Sequence, residues 1–257
     1  MARIDIRKDY REQLRLLRGL TKSLRAKLVK IFNTSSRKLA SSYKRTGIIN
    51  TRAEEELQEK LELTIQKHYR VCITEQERRM RRVYTKQVDE DEIERIIAQY
   101  IALHGAAQVN LITETTRKRL SAIIQSGIAD GLSIVAISSN IQRSAVFSQA
   151  RATLIARTET HTALNFGAAQ VAKKLGFKNP KKQWNSARDD RTRSWHRAVD
   201  GQVVSETEDF KIVTPTAGGG TRVAYMAYAG DTKGGSTNVI NCRCFITRYD
   251  EDDEIIN

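Results

Sequence analysis

Proline, cysteine and aromatic residues are all scarce in this chain of 257 residues, which holds two prolines, three cysteines and only 6% Phe, Trp and Tyr. So little proline leaves long helices unbroken and argues against a loop-rich fold. An odd number of cysteines cannot close a disulfide framework, and it points to a reducing compartment. No apolar run approaches the roughly 20 residues that cross a bilayer, so no membrane insertion is expected. The opening "MARIDIRKDYREQLRLL" is charged but has no apolar core, so a secretory signal is not expected either.

Positive charge is what the chain has in excess, with a formal net charge of +14. Residues 1–50 carry 14 Lys and Arg against 3 Asp and Glu, and residues 151–200 carry 11 against 4. Residues 201–257 reverse the balance, 5 against 9, and end in the acidic run "DEDDE" at 250–254. Two basic blocks of this size suit a polyanion, most simply nucleic acid phosphate, or else a solvated helix face. Lys173, Lys174, Lys181, Lys182, Arg15, Arg18, Lys22 and Arg25 are the side chains expected to meet double-stranded DNA. The acidic end is expected to be a flexible tail over 250–257.

Hydrophobic spacing predicts a mainly helical N-terminal region, residues 1–125. From Tyr10 to Phe32 apolar residues recur every three or four positions. "FNTSSRKLASSYKRTG" is expected to break that helix with polar turn formers. A second helix should start near Thr51 and continue through "EQERRMRRVYTKQV". A third, from "DEIERII" to "IIQSG", carries a possible interruption at Gly105. Gly127 and Gly131 punctuate the next stretch, and Ser148 and Gly176 read as the N-cap and C-cap of another helix. Beyond Gly176 the texture changes to short apolar stretches between glycine-rich loops. "KKQWNSA" reads as a strand, "DDRTRSWHRAV" as a short helix capped by Asp189 or Asp190, and "DGQVV" as a turn into a strand. The fold class is therefore α+β, with a small C-terminal domain of short antiparallel strands over 126–249.

The segment "NVINCRCF" poses the chemical question. As a strand it alternates, with Ile240, Cys242, Cys244 and Ile246 inward and Asn241, Arg243 and Phe245 on the other face. Three alternatives stay open: a zinc site, needing His196 and His161 as further ligands; a strained Cys242–Cys244 disulfide; and a catalytic cysteine with His196 as base. The helix at 189–197 offers a second constellation. Asp190 and His196 could flank a polar pocket, and Asp189, Asp190, Asp200 and Asp231 could serve a metal-dependent nuclease or toxin-like enzyme. Surface ion pairs on a capped helix account for the same residues. Trp184 and Trp195 read as core anchors. Neither "GGG" at 218–220 nor "GDTKGG" at 230–235 is a phosphate loop, because no Gly-Lys-Ser/Thr end leads into a helix.

"LIARTETHTALNFGAAQ", then "WNSARDDRTRSWHRAVDGQ", then "NVINCRCFI" resembles, in order and spacing, the phage Mu F-like head morphogenesis (minor capsid) family, over roughly residues 130–250. The resemblance implies a low-copy internal virion component of a tailed phage or prophage, inside the capsid near the portal, with the host cytoplasm as its place of assembly. It implies the portal protein as partner, scaffold or major capsid protein as further contacts, and a part in DNA packaging or ejection. Its signature positions are Arg157, Thr158, Glu159, Asn165, Asp190, Arg193, His196, Gly201, Asn241, Cys242, Arg243 and Cys244. No catalytic residue, cofactor or metal comes with them. The run before Asn241 lacks the Pro and His often found there, which counts against a metal. Within this signature Glu159 or Asp190 is expected to pair with Arg243 or Arg193, and Asn241 to bond a loop backbone.

Overall fold

In the computed structural model, which describes residues 3–84 and 88–256, a short strand β1 (Arg3–Asp5) leads into helix α1 (Ile6–Thr46). The break expected after Phe32 does not occur. Ser35, Ser36, Leu39, Ala40 and Tyr43 continue the buried stripe of Leu24, Leu28 and Phe32. Ser36 and Thr46 turn their hydroxyls back onto carbonyls of the same helix, so these polar residues do not break it. Serine is also small enough for close packing, and Ser138 Oγ donates to the Ala40 carbonyl at 2.8 Å. The helix ends where the Gly47 amide bonds the Tyr43 carbonyl, and Asn50 Oδ1 caps the start of α2 (Thr51–Tyr84).

Helix α3 (Glu90–Tyr100) passes through a π-turn at 101–105 into α4 (Ala106–Ala129), so the irregularity expected at Gly105 is there. Residue 125, the boundary expected for the N-terminal region, lies inside α4. Helix α5 (Ile134–Gln142) is capped by Ser133. In α6 (Gln149–Lys174) the Ser148 hydroxyl accepts the Arg151 amide, as expected of an N-cap. Past its end Gly176 takes φ +64°, a left-handed geometry in which glycine is free of Cβ strain.

The remaining elements are β2 (Pro180–Asn185), the one-turn α7 (Ser194–Arg197), β3 (Val203–Ser205), β4 (Phe210–Pro215), β5 (Thr221–Met226), a second one-turn helix α8 (Ser236–Val239), β6 (Phe245–Asp250) and β7 (Glu254–Ile256). Strands β3, β2 and β6 form an antiparallel sheet with β2 central, Trp184 opposite Ile246 and Asn185 opposite Phe245. Strands β4 and β5 form a hairpin around the glycine-rich loop. The α+β reading holds. The acidic end, expected to be a free tail, instead carries β7, which pairs in parallel with β1.

The chain forms two compact units, and neither is a single stretch of sequence. One comprises Met1–Leu20, Tyr69–Ala98 and Arg157–Asn257; the other comprises Thr21–His68 and Gln99–Ala156. In the second, Leu24, Leu28, Phe32, Leu57, Leu61, Ile65 and Val109 are buried, and Phe32 meets Phe147 edge-on. Arg151 stacks over Phe32 and donates to the Thr116 hydroxyl and the Ile112 and Val146 carbonyls.

The first unit is built around Trp184, which is fully buried and edge-on to both Phe210 and His196. Helix α6 comes close to α2 at Gly167, where a Cβ would lie 3.3 Å from Ile73 Cα. A buried polar chain crosses this core: Asn185 Nδ2 donates to Thr247 Oγ1, Thr247 Oγ1 donates to Asp9 Oδ2, and Asp9 is ion-paired to Arg79. Asn185 Nδ2, the Thr247 hydroxyl, the Asp9 carboxylate and the Arg79 guanidinium thus answer one another, which lowers the cost of keeping them out of water.

Candidate functional site

The signature residues converge within the first unit. From α6, Arg157 donates to Asn241 Oδ1, and Thr158 Oγ1 accepts the Asn241 amide at 3.1 Å. Asn241 sits at φ +60°, a left-handed conformation that asparagine tolerates better than most residues. On the same turn Arg193 donates to the Ile240 carbonyl at 2.6 Å. Two guanidiniums, one from α6 and one from the loop before α7, thus clamp residues 240–241. The expected bond from the Asn241 side chain to a loop backbone is not what forms: that side chain accepts from Arg157, and it is the Asn241 backbone amide that is held, by the Thr158 hydroxyl.

The expected ion pairs form with different partners. Arg243 makes a two-pronged bond to the Asp189 carboxylate, Nη2 to Oδ1 at 2.6 Å and Nη1 to Oδ2. That pairing holds the Asp189 carboxyl well below the usual range. Asp189 also accepts the Arg191 amide and the Thr192 hydroxyl, so it shapes a turn, and α7 begins later, at Ser194. Asp190 is exposed. Glu159 points elsewhere. It is buried and accepts the Tyr69 hydroxyl at 2.5 Å, and desolvation raises its pKa to about 7 against the pull of that bond. Gly201 takes φ +81° in the turn before β3, and its amide bonds the Trp184 carbonyl.

At the centre of the knot stands His196, 1% exposed. Its Nδ1 lies 3.6 Å from Cys242 Sγ and 3.5 Å from Cys244 Sγ, and its Nε2 lies 3.1 Å from Asn238 Oδ1. Asn238 also accepts the Trp195 indole N–H and donates Nδ2 to the Gly234 carbonyl and to Thr214 Oγ1. Both cysteines are 2% exposed, and the Cys244 amide points at Cys242 Sγ. The Cys242 thiol is pulled well below its usual pKa, first by its bond with Cys244 and then, against burial, by His161 and His196. Cys244 is pushed up by that same bond and by burial. A second imidazole, His161, places Nε2 2.6 Å from the Cys244 carbonyl, and its Nδ1 is buried with no hydrogen-bond partner. Asn165 Nδ2 donates to the His161 carbonyl.

This geometry corrects the strand reading of "NVINCRCF". Strand β6 begins only at Phe245. Ile240 is 41% exposed, while Phe245 and Ile246 are both buried, so strict alternation fails. The cysteines are inward as expected, but they project from an irregular turn and face an imidazole. The nuclease constellation is not assembled. Asp200 is occupied by the Ser186 amide and Arg188, and Asp231 by the Ala227 and Lys233 amides. Among the described residues, the group of His, Cys, Asp and Glu donors close enough to share an ion is His196, Cys242 and Cys244.

The basic residues divide. Lys182 is buried, its Nζ donating to the Glu206 and Ala227 carbonyls above the Phe210 ring, so it cannot meet DNA. Burial lowers its pKa to about 8. Lys174 is paired with Glu92 and Lys181 with Glu251, and Arg25 donates to Gln149. Arg15, Arg18, Lys22 and Lys173 are exposed.

The Phage Mu protein F like family matches residues 118–247, a span that contains every signature residue of the knot. The chain belongs to that family. Minor head protein GP7 of Bacillus phage SPP1 is 33% identical over 129 residues, 49% of this chain and 38% of that protein. The likeness therefore spans well under half of the relative's length. No solved structure matches. The partners that the sequence reading missed are Asp189 for Arg243, Asn238 for His196 and Tyr69 for Glu159. None of the three lies at a spacing that announces its contact.

Proposed function

We propose that this Mu F-like chain is a minor head protein, a low-copy component inside the capsid of a tailed phage or prophage. It would assemble in the host cytoplasm with the portal protein, with scaffold or major capsid protein as further contacts. It would lie against packaged DNA and take part in genome delivery, without catalysing a reaction. The observation that carries this reading is the family match across the whole polar knot, together with the likeness to the minor head protein of phage SPP1.

The chemistry of the knot supports a holding role. Arg157, Arg193, Arg243, Asp189, Asn238 and Asn241 are spent on neighbouring side chains and on backbone, and no attacking group stands in an open cleft beside a free base. Arg15, Arg18 and Lys22, at steps of three and four on one face of α1, are exposed and suited to phosphate. Lys173 adds a further exposed cation.

DNA affinity measured across a salt series tests the phosphate contact. Replacing Arg15, Arg18 and Lys22 together with Gln should flatten the log–log slope by about 3. An unchanged slope would remove that face from the DNA interface. Co-expression with a tailed-phage portal protein tests the assembly role. A stable complex is expected, and separate migration of the two proteins would refute portal docking.

A further inference from the structure

We propose that His196 Nδ1, Cys242 Sγ and Cys244 Sγ supply three of the four ligands of one zinc ion, which ties the 240–244 turn to α7, with the fourth position taken by a water or a non-protein ligand. Distance is the first argument. Zinc bonds of about 2.3 Å to sulfur and about 2.05 Å to nitrogen, at a tetrahedral angle, set nitrogen and sulfur about 3.6 Å apart. The two sulfurs lie 3.6 and 3.5 Å from the imidazole nitrogen. A hydrogen bond alone would account for one such contact. It does not account for two thiols on the same nitrogen, whose single in-plane lone pair accepts one proton at a time.

The second argument is the tautomer. Trp195 Nε1 can only donate and the Gly234 carbonyl can only accept, and together they fix which end of the Asn238 amide is oxygen. His196 Nε2 therefore faces an acceptor and must carry the proton. Its Nδ1 is left with a bare lone pair directed at the two sulfurs. Metal-binding histidines are oriented in this way, by an acceptor on the far nitrogen. Asn238, Thr214 and Trp195 thus serve as the outer shell that holds the ligand in place.

The third argument is charge. Binding a divalent cation releases one proton from each thiol to solvent, and the two thiolates with a neutral imidazole leave a site of zero net charge. That is acceptable at positions 1–2% exposed, where an unpaired ion is not. The Cys244 amide already points at Cys242 Sγ, as suits a sulfur bearing negative charge. Thiolate and imidazole ligands favour zinc over calcium or magnesium, which take oxygen.

The test uses the full chain, purified under reducing conditions. Elemental analysis should find about one zinc per chain. Exchange into cobalt(II) should give thiolate-to-metal charge-transfer absorption and the strong visible bands of a tetrahedral site. Cys242→Ser, Cys244→Ser and His196→Ala should each abolish that spectrum, and Cys72→Ser should leave it intact. A chain lacking bound transition metal that also gives no charge-transfer band with added cobalt overturns the proposal without reliance on any variant. A spectrum that survives both cysteine substitutions, or disappears with Cys72→Ser, overturns it as well.

Discussion

Glu159→Gln should change how the stability of the first unit depends on pH, by an amount set by its burial. The carboxyl is sealed between α6 and α2 with the Tyr69 hydroxyl as its bonded partner, and its pKa rises from 4.5 to about 7. Because the folded pKa exceeds the unfolded one, the folded state binds the proton more tightly between those values. The stability this proton supplies is complete at low pH and is lost as pH rises through 4.5 towards 7. A gap of about 2.5 units corresponds to about 3 kcal/mol in full, of which about 2.5 kcal/mol falls between pH 5 and pH 8. Gln keeps the acceptor for Tyr69 and carries no charge, so the variant should gain that much on wild type across the interval. Both tryptophans lie in this unit, so urea unfolding followed by indole fluorescence reports on it. His68, in the other unit, titrates in the opposite sense. Its pKa falls to about 4, chiefly through desolvation, so its contribution is present above 6.5 and lost as pH falls towards 4. Being common to both proteins, it cancels in the difference. Parallel stability curves for wild type and Glu159→Gln from pH 5 to pH 8 would falsify the argument.

Arg79→Met should cost about 3–5 kcal/mol by stranding the buried Asp9 carboxylate, and adding Asp9→Asn should recover most of it in a double-mutant cycle. Purely additive losses would mean the pair is not coupled. Gly230→Ala should destabilise the first unit by about 1–3 kcal/mol, since φ is +87° and the new Cβ would lie 2.8 Å from His161 Nδ1. A neutral result in thermal unfolding would refute the crowding. Lys182→Met should lose about 1–3 kcal/mol by leaving two half-buried carbonyls without their donor, while the salt slope of DNA binding stays unchanged. A flatter slope would return Lys182 to the DNA face.

Much of the fold was legible where one local rule governs. Ser148 and Gly176 bound α6 because a hydroxyl cap and a left-handed glycine act within a few residues of themselves. The α+β character followed from periodicity and from the glycine-rich loops after residue 176. Local reading failed where the same residues can serve two ends. The serines and threonines after Phe32 look like turn formers, yet α1 runs through them: Ser36 and Thr46 bond back onto its carbonyls, and its buried stripe continues to Tyr43. Alternation failed at Cys242 and Cys244 because a turn clamped by Arg157 and Arg193, not a strand, carries them.

The order of the motifs by itself determined the family, because short polar signatures in fixed sequence survive without any knowledge of their contacts. Composition along the chain likewise fixed the uneven charge. Only the tertiary structure decided that Asp189 and not Asp190 holds Arg243, that Glu159 answers Tyr69, that Lys182 is an interior cation, and that both sulfurs face His196. Each of these is a meeting between groups tens of residues apart in sequence. Spacing along the chain carries no information about such distances until the packing of apolar surface has fixed where the backbone runs.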